Sequence, residues 1–350
     1  MIPINKYSSQ DILNWKMTTI ICLAIKIENN VLSYKKINNN YIERAESVIE
    51  MIKDTLQKYK INDVELYITL SDKPINNPYF LHFSRTTNSN INTIPNFSFY
   101  EWKDAKLGNF FTIKDDILNN KIEWNDKQNK IMWSGINSHD IRKRMNFLKT
   151  NDLYEYNLCD LTGKYYDLKD HGNYKYLLDM EGVGYSGRFP YLALTGSCVI
   201  LLENSDPDRD YKLYYDEHFI EDVHYLKVRY NQDEEISSTV KCRCQGHPLS
   251  EGGLNLSNLT CSVCALAPHG IHNKILDKIS KNNCKKIGED CRQVAINLFN
   301  KENILSYMSI LLNYYAKYYV NTTEVYNPDL IYNFTYLTNN IKKRLLNKFK

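Results

Sequence analysis

The sequence predicts an α/β fold of two Rossmann-like halves, and three observations carry that prediction. Residues 174–203 read as one strand–loop–helix–turn–strand unit: an apolar run at 174–180, a glycine-rich loop at 181–188, a short helix at 189–194 with Pro190 in its first turn, and a second apolar run at 197–202. Earlier in the chain, a hairpin, a helix and a buried strand form a β–α–β run that reads as a first nucleotide-type half-domain. The 350 residues, 43% hydrophobic and 24% charged, suffice for two cores of ordinary domain size.

Taken in order, residues 1–16 are a polar arm. Residues 18–27 and 31–36 read as strands joined over a pair of asparagines, which suit a tight turn. Residues 43–60 are a helix, with Ala45, Val48, Ile49, Ile52 and Leu56 at helical spacing. Residues 64–70 form a buried strand whose exit carries Asp72-Lys-Pro. Residues 73–128 hold an aromatic run that includes Phe97, Phe99, Tyr100, Trp102 and Phe110; core packing is the ordinary reading and a ligand platform the alternative.

The boundary between halves falls near 125, giving 1–125 and 126–320 with a tail at 321–350. Residues 130–133 are a strand, and Asn137 or Ser138 caps a helix running to about Leu148. Residues 210–219 read as an aromatic-rich helix, 223–228 as a strand and 292–320 as a helix. The tail is helical, amphipathic and basic. His224 reads as a packing histidine.

Within the loop at 181–188, glycines let a backbone approach closely, while Ser186 and Arg188 offer a hydroxyl and a fixed fork suited to phosphate oxygens. The plainer alternative is a turn with Arg188 in solvent. A net charge of +3 argues against bulk nucleic-acid binding. No segment has the length of a membrane span and no signal peptide is recognisable, so a cytoplasmic setting is expected. The abundance of Asn, Ile, Lys and Tyr reads as the mark of an AT-rich genome, such as that of a protist or a large DNA virus, rather than of function.

Six of the nine cysteines fall between 242 and 291, in an insert at about 235–292. Cys242, Cys244, Cys261 and Cys264 are candidate ligands of one structural zinc, with His247, His269 and His272 as substitutes; free thiols and disulfides are the alternatives.

Several runs together resemble glycosyltransferase family 90, the family of Rumi-like protein O-glucosyl/xylosyltransferases and capsule xylosyltransferases. They are His171-Gly-Asn-Tyr-Lys-Tyr-Leu, Glu181-Gly-Val-Gly-Tyr-Ser-Gly-Arg-Phe, Leu194-Thr-Gly-Ser-Cys-Val, Met132-Trp-Ser-Gly, Val223-His-Tyr-Leu-Lys-Val, Ile94-Pro-Asn-Phe-Ser-Phe-Tyr-Glu-Trp and Ser71-Asp-Lys-Pro, in the family's order. The resemblance implies a GT-B-like arrangement: two Rossmann-like domains face each other across a cleft, the first on the acceptor side, with C-terminal helices crossing back. It implies inverting transfer of glucose or xylose from a UDP-sugar to a hydroxyl of a protein or glycan acceptor, without a catalytic metal. It places Gly108, Arg142, Val183, Gly184, Tyr185, Ser186, Gly187 and Arg188 at the donor. The family's basic Asp falls on Ile91 here, beside Asn92, and neither accepts a proton. Asp72 and Glu101 are the candidate replacements. A weakly active or inactive sugar-nucleotide- or glycan-binding protein, and a zinc-stapled interaction protein, are the alternatives.

Overall fold

The computed structural model describes residues 21–36, 41–75, 80–89, 91–231 and 270–319. The first half is built on a four-stranded sheet. Strands β1 (Cys22–Glu28) and β2 (Val31–Lys36) form the expected hairpin, and the turn residues Asn29 and Asn30 both lie at positive φ, 52° and 63°. Asparagine tolerates that region, and this twist matches the twist of the strands. Helix α1 (Ile42–Lys58) buries the apolar stripe read from its spacing. Strand β3 (Val64–Thr69) follows, then the short β4 (Phe80–Leu81).

The order β2-β1-β3-β4 is mixed: β3 runs parallel to β4 but antiparallel to β1. The nucleotide-type β–α–β expectation for these residues is corrected accordingly. The tight turn places β2 at the edge, so the chain leaving α1 pairs with the free side of β1 in the opposite sense.

The aromatic run packs as core. A 3₁₀ turn at Phe97–Phe99, capped by Asn96, leads to α2 (Phe110–Asn119). Phe110 sits edge-on to Phe99 at 4.8 Å and to Tyr191 at 4.9 Å, and the Tyr191 hydroxyl donates to the Ser98 carbonyl at 2.9 Å. The largest apolar cluster therefore includes residues on both sides of position 125.

The second half carries a five-stranded, fully parallel sheet. Its strands are β6 (Gln128–Gly135), β7 (Tyr154–Leu158), β8 (Tyr174–Met180), β9 (Cys198–Asn204) and β11 (Leu226–Tyr230). Helices α3 (Asp140–Met145), α4 (Cys159–Thr162), α5 (Leu168–His171) and α6 (Phe189–Ala193) lie in the connections. Successive strand residues alternate between two cores. Met132, Leu177 and Val199 face the large cluster; Trp133, Leu178 and Ile200 face a second one that includes residues of α3, α7 (Ile271–Lys281) and α8 (Cys284–Leu298). Burial on both faces explains the uncharged run at 198–202.

Three local expectations are corrected. Residues 210–219 are not a helix: Tyr211–Lys212 form β10, which pairs with β5 (Arg85–Thr86), and a 3₁₀ turn follows. This pairing, with an element of the other half, uses the backbone groups a helix would need. The expected helix at 292–320 is two helices, α8 and α9 (Lys301–Tyr319), broken after Leu298. His139, not Asn137 or Ser138, caps α3. Helix α9 returns to the first half, against α1 and β3; there Tyr307 donates to the Thr93 carbonyl at 2.9 Å, and Asn92 donates to the Tyr315 hydroxyl at 3.0 Å.

Candidate active site

Numbered within its own sheet, the parallel strand order β7-β6-β8-β9-β11 is 2-1-3-4-5. The chain steps outward from β6 to β7, then crosses back to β8. The crevice outside the carboxyl ends of β6 and β8 is thus the topological switch point, where open α/β sheets bind ligands. Two loops meet there, 136–139 after β6 and 181–188 after β8.

Arg188 links both strand ends. It donates to the Ser134 carbonyl at 2.8 Å and to Asp179 Oδ1 at 3.2 Å. Ser186 donates to the same Asp179 oxygen at 2.6 Å. Arg142 is also buried. It donates to the Ile136 carbonyl at 3.1 Å, to Ser138 Oγ at 2.7 Å and to the Met180 carbonyl at 3.0 Å, so it fastens one loop to the end of β8. Burial, then the neighbouring Arg188 charge, pulls its pKa down to about 10. Both guanidinium groups lie over the Trp133 indole, at 5.5 and 5.2 Å. Among the described residues, Nε of Arg142, Nε of Arg188 and Nε1 of Trp133 have no hydrogen-bond partner. Two buried guanidinium N–H donors thus lie at the Trp133 ring, which carries a third unpartnered N–H of its own.

The glycines admit protein rather than leave open space. A Cβ on Gly184 would stand 2.3 Å from the Asp72 carbonyl oxygen, and one on Gly187 would stand 3.0 Å from the Trp102 ring. Both partners belong to the first half, which closes onto the loop at these two points. Asp72 is thereby brought to the site, where it pairs with Arg44 at 2.8 Å. Glu101 is half-exposed, with its side chain 3.5 Å from Lys103. Gly108 has open space around it, and Val183 is exposed. Tyr185 is buried; burial, then the Asp72 charge, holds its phenol well above the usual range. Cys242, Cys244, Cys261 and Cys264 lie outside the described residues. Among the described residues no group of three or more His, Cys, Asp or Glu side chains is arranged to hold a metal ion, and no helix is long and apolar enough to cross a membrane.

Beside the loop lies a cavity of about 350 Å³ over the ends of β8 and β9, lined in part by the β5–β10 ribbon. Sequence reasoning did not single out its principal residues. Glu181, at the exit of β8, accepts from the Tyr230 hydroxyl at 2.7 Å and lies 3.6 Å from Arg209. Burial nevertheless raises its pKa. Arg209 Nη2 also lies 2.5 Å from His139 Nε2, and burial, then the Arg209 charge, lowers the His139 pKa. A neutral imidazole has one acceptor nitrogen, so His139 accepts either the Arg209 N–H at Nε2 or the Ile141 N–H, 3.4 Å from Nδ1, and not both. Asp216 is raised to about 7 by burial. Asp179 left a signal in the sequence, as the lone carboxylate of its strand, beside the apolar residues Leu177, Leu178 and Met180. Tyr215 left none, because the segment that carries it read as a helix.

A doubly wound sheet whose polar groups gather at its switch point defines a Rossmann-like α/β protein of the ligand-binding kind. Residues 9–245, well over half of the chain, match the family model described as Glycosyl transferase family 90, and the chain belongs to that family of glycosyltransferases.

Proposed function

We propose that the protein is an inverting, UDP-sugar-dependent transferase that moves glucose or xylose to a hydroxyl of a protein or glycan acceptor, its two halves facing each other as in a GT-B enzyme. The observation that carries this reading is the set of unpartnered N–H donors of Arg142, Arg188 and Trp133 at the switch point. Donors fixed where negative charge develops stabilise a departing diphosphate without reorganisation. Arg188, on the loop after β8, is the group assigned to that charge, and Arg142 holds the loops around it. Asp72 is the assigned base because the Gly184 contact brings it to the donor loop. It takes the acceptor hydroxyl proton as the oxygen attacks the anomeric carbon, and the carbon–phosphate oxygen bond breaks with its electrons passing to the diphosphate.

One observation favours a second reading, a sugar-nucleotide-binding protein with little turnover. Ile91, where the resemblance places the family's basic Asp, is a buried core residue.

Thermal unfolding against UDP, UDP-glucose, UDP-xylose, UDP-galactose and GDP-mannose tests the donor site. A ligand at a hundred times its dissociation constant adds roughly 2.7 kcal/mol. The expected result is a rise in midpoint with UDP-sugars that is lost in Arg188→Ala; no rise with any nucleotide overturns the reading. Asp72→Asn is expected to bind donor normally while its turnover drops by at least about a hundredfold. Undiminished turnover in that variant removes Asp72 as the base, and absence of turnover in the unsubstituted protein selects the second reading.

A further inference from the structure

Helix α1 buries an arginine. Arg44 stands in its first turn, on the same buried side as Ala45 and Val48, with 8% of its surface exposed. A cation in the first turn opposes the helix dipole, and a guanidinium taken out of water needs partners that offset its lost hydration. Its partners are specific. Nη1 donates to the Leu70 carbonyl at 3.0 Å and to Asp72 Oδ1 at 2.8 Å, and Nη2 donates to Asp72 Oδ2 at 3.4 Å. The guanidinium carbon also lies over two rings, Tyr41 at 4.1 Å and Phe97 at 4.7 Å. Tyr41, at the start of α1, takes a left-handed backbone, φ 57° and ψ 39°, which is uncommon for a tyrosine.

The Leu70 contact alone would tie α1 to the exit of β3. The other two bonds reach past that exit to a residue at the loop after β8. There the Asp72 backbone is already fixed: its carbonyl accepts from Ser84 Oγ at 3.3 Å, and its Cβ lies 3.0 Å from where a methyl group on Gly184 would stand. What the backbone leaves free is the side-chain torsion, and the planar fork sets it. Tyr185 registers the Asp72 charge, but its hydroxyl, like that of Tyr215, has no hydrogen-bond partner among the described residues. The cation, not the phenol, orients the carboxylate. A carboxylate offers about four lone-pair sites, so a fork that takes one on each oxygen leaves one on each. The Arg44 side chain is 9% exposed and that of Asp72 27%, so the pair is closed on the α1 side and open at the carboxylate.

We infer that Arg44 is a positioning residue for the transfer reaction: its buried fork fixes the Asp72 carboxylate so that a remaining lone pair faces the acceptor hydroxyl. The inference rests on the transferase reading above, with Asp72 as its base. Arg44 acts through Asp72 and stays protonated, while the hydroxyl proton passes to the carboxylate. Without the fork, the carboxylate turns among its staggered positions and the reacting atoms are aligned in fewer encounters.

The test is a double-substitution cycle on the full chain. Turnover is read as UDP release from UDP-glucose or UDP-xylose, with methyl glucoside, methyl xyloside or a serine peptide as acceptor. Donor binding is read as the rise in unfolding midpoint with the same sugar nucleotides. Arg44→Gln is expected to lower kcat about tenfold to a hundredfold and to leave the donor-induced rise unchanged. Arg44→Lys keeps the charge without the fork and should recover part of kcat. Measured on the residual turnover of Asp72→Asn, Arg44→Gln should change kcat by less than about twofold, because no oriented base remains to misplace. An arginine that only held the fold together would cause the same loss in both backgrounds. If Arg44→Gln does not fold, Arg44→Lys carries the test, with a kcat loss that vanishes beside Asp72→Asn. Undiminished kcat in Arg44→Gln, or an equal loss with and without the Asp72 carboxylate, overturns the inference and leaves the transferase reading standing. Undiminished turnover in Asp72→Asn removes the base and this inference with it, whereas no turnover in the unsubstituted protein overturns the transferase reading itself.

Discussion

The two ends of the parallel sheet each bury a cation, and they treat it in opposite ways. At the amino end, Lys127 donates to the Gly172 carbonyl at 2.6 Å, to the Thr195 carbonyl at 3.1 Å and to Ser197 Oγ at 3.0 Å. All three ammonium protons are used, and each acceptor is neutral. At the carboxyl end, Arg188 meets Asp179, and each keeps an atom without a partner among the described residues. A buried charge with its hydrogen bonds completed is a fastener, here tying β6 to the entrances of β8 and β9. One with open valences is a site, since the same burial that makes the opening costly makes a ligand that fills it bind well.

The largest effect expected from breaking this contrast is at the carboxyl end. Arg188→Ala leaves Asp179 buried without its cation and should lower unfolding free energy by about 3–5 kcal/mol. Urea unfolding checks this, and a loss under about 1 kcal/mol would mean that Asp179 relaxes into solvent.

Next comes Lys127→Met, which strands three acceptors and should cost about 3 kcal/mol. Its pH dependence sharpens the contrast. Burial lowers the Lys127 pKa from 10.5 to about 8. Between those values the unfolded chain holds the proton and the folded chain does not, so the Lys127 contribution to stability rises as pH climbs from about 8 to about 10.5. The difference in unfolding free energy between wild type and Lys127→Met should widen over that window. A constant difference would show that the ammonium keeps its proton.

Gly184→Ala tests the contact between the halves. Its methyl group meets a backbone oxygen rather than a flexible side chain, so a loss of about 1–3 kcal/mol is expected. Donor binding should weaken as the loop is displaced from Asp72; a variant with unchanged stability and binding would show that the halves separate freely. Smallest is the near-zero change in unliganded stability expected for Tyr215→Phe.

Much of the scaffold was legible. The strand at 174–180 and the helix that starts at Phe189 fall where the glycine-rich loop puts them, and the paired asparagines of the β1–β2 turn take the backbone that their residue type permits. The strand Tyr154–Leu158 was not legible, since its sequence YEYNL carries polar residues between tyrosines at the edge of the sheet. The helix expected at 210–219 failed because partners distant in sequence decided the matter: Tyr211 pairs with Thr86 of β5.

Within the site, the loop that carries Ser186 and Arg188 was legible from its glycines and its place after a strand, and the family membership was legible in the order of its motifs. Which polar atoms stay open was not. By itself the sequence determined many of the local elements and the family, because periodicity, turn preference and motif order are properties of neighbouring residues. Only the tertiary structure decided that Arg142 fastens loops, that Asp72 rather than Glu101 meets the loop after β8, and that Asp179, Tyr185 and Tyr215 share a cavity. Hydrogen-bond satisfaction depends on groups far apart in the chain, as in Arg188 and its acceptor Ser134, 54 residues away.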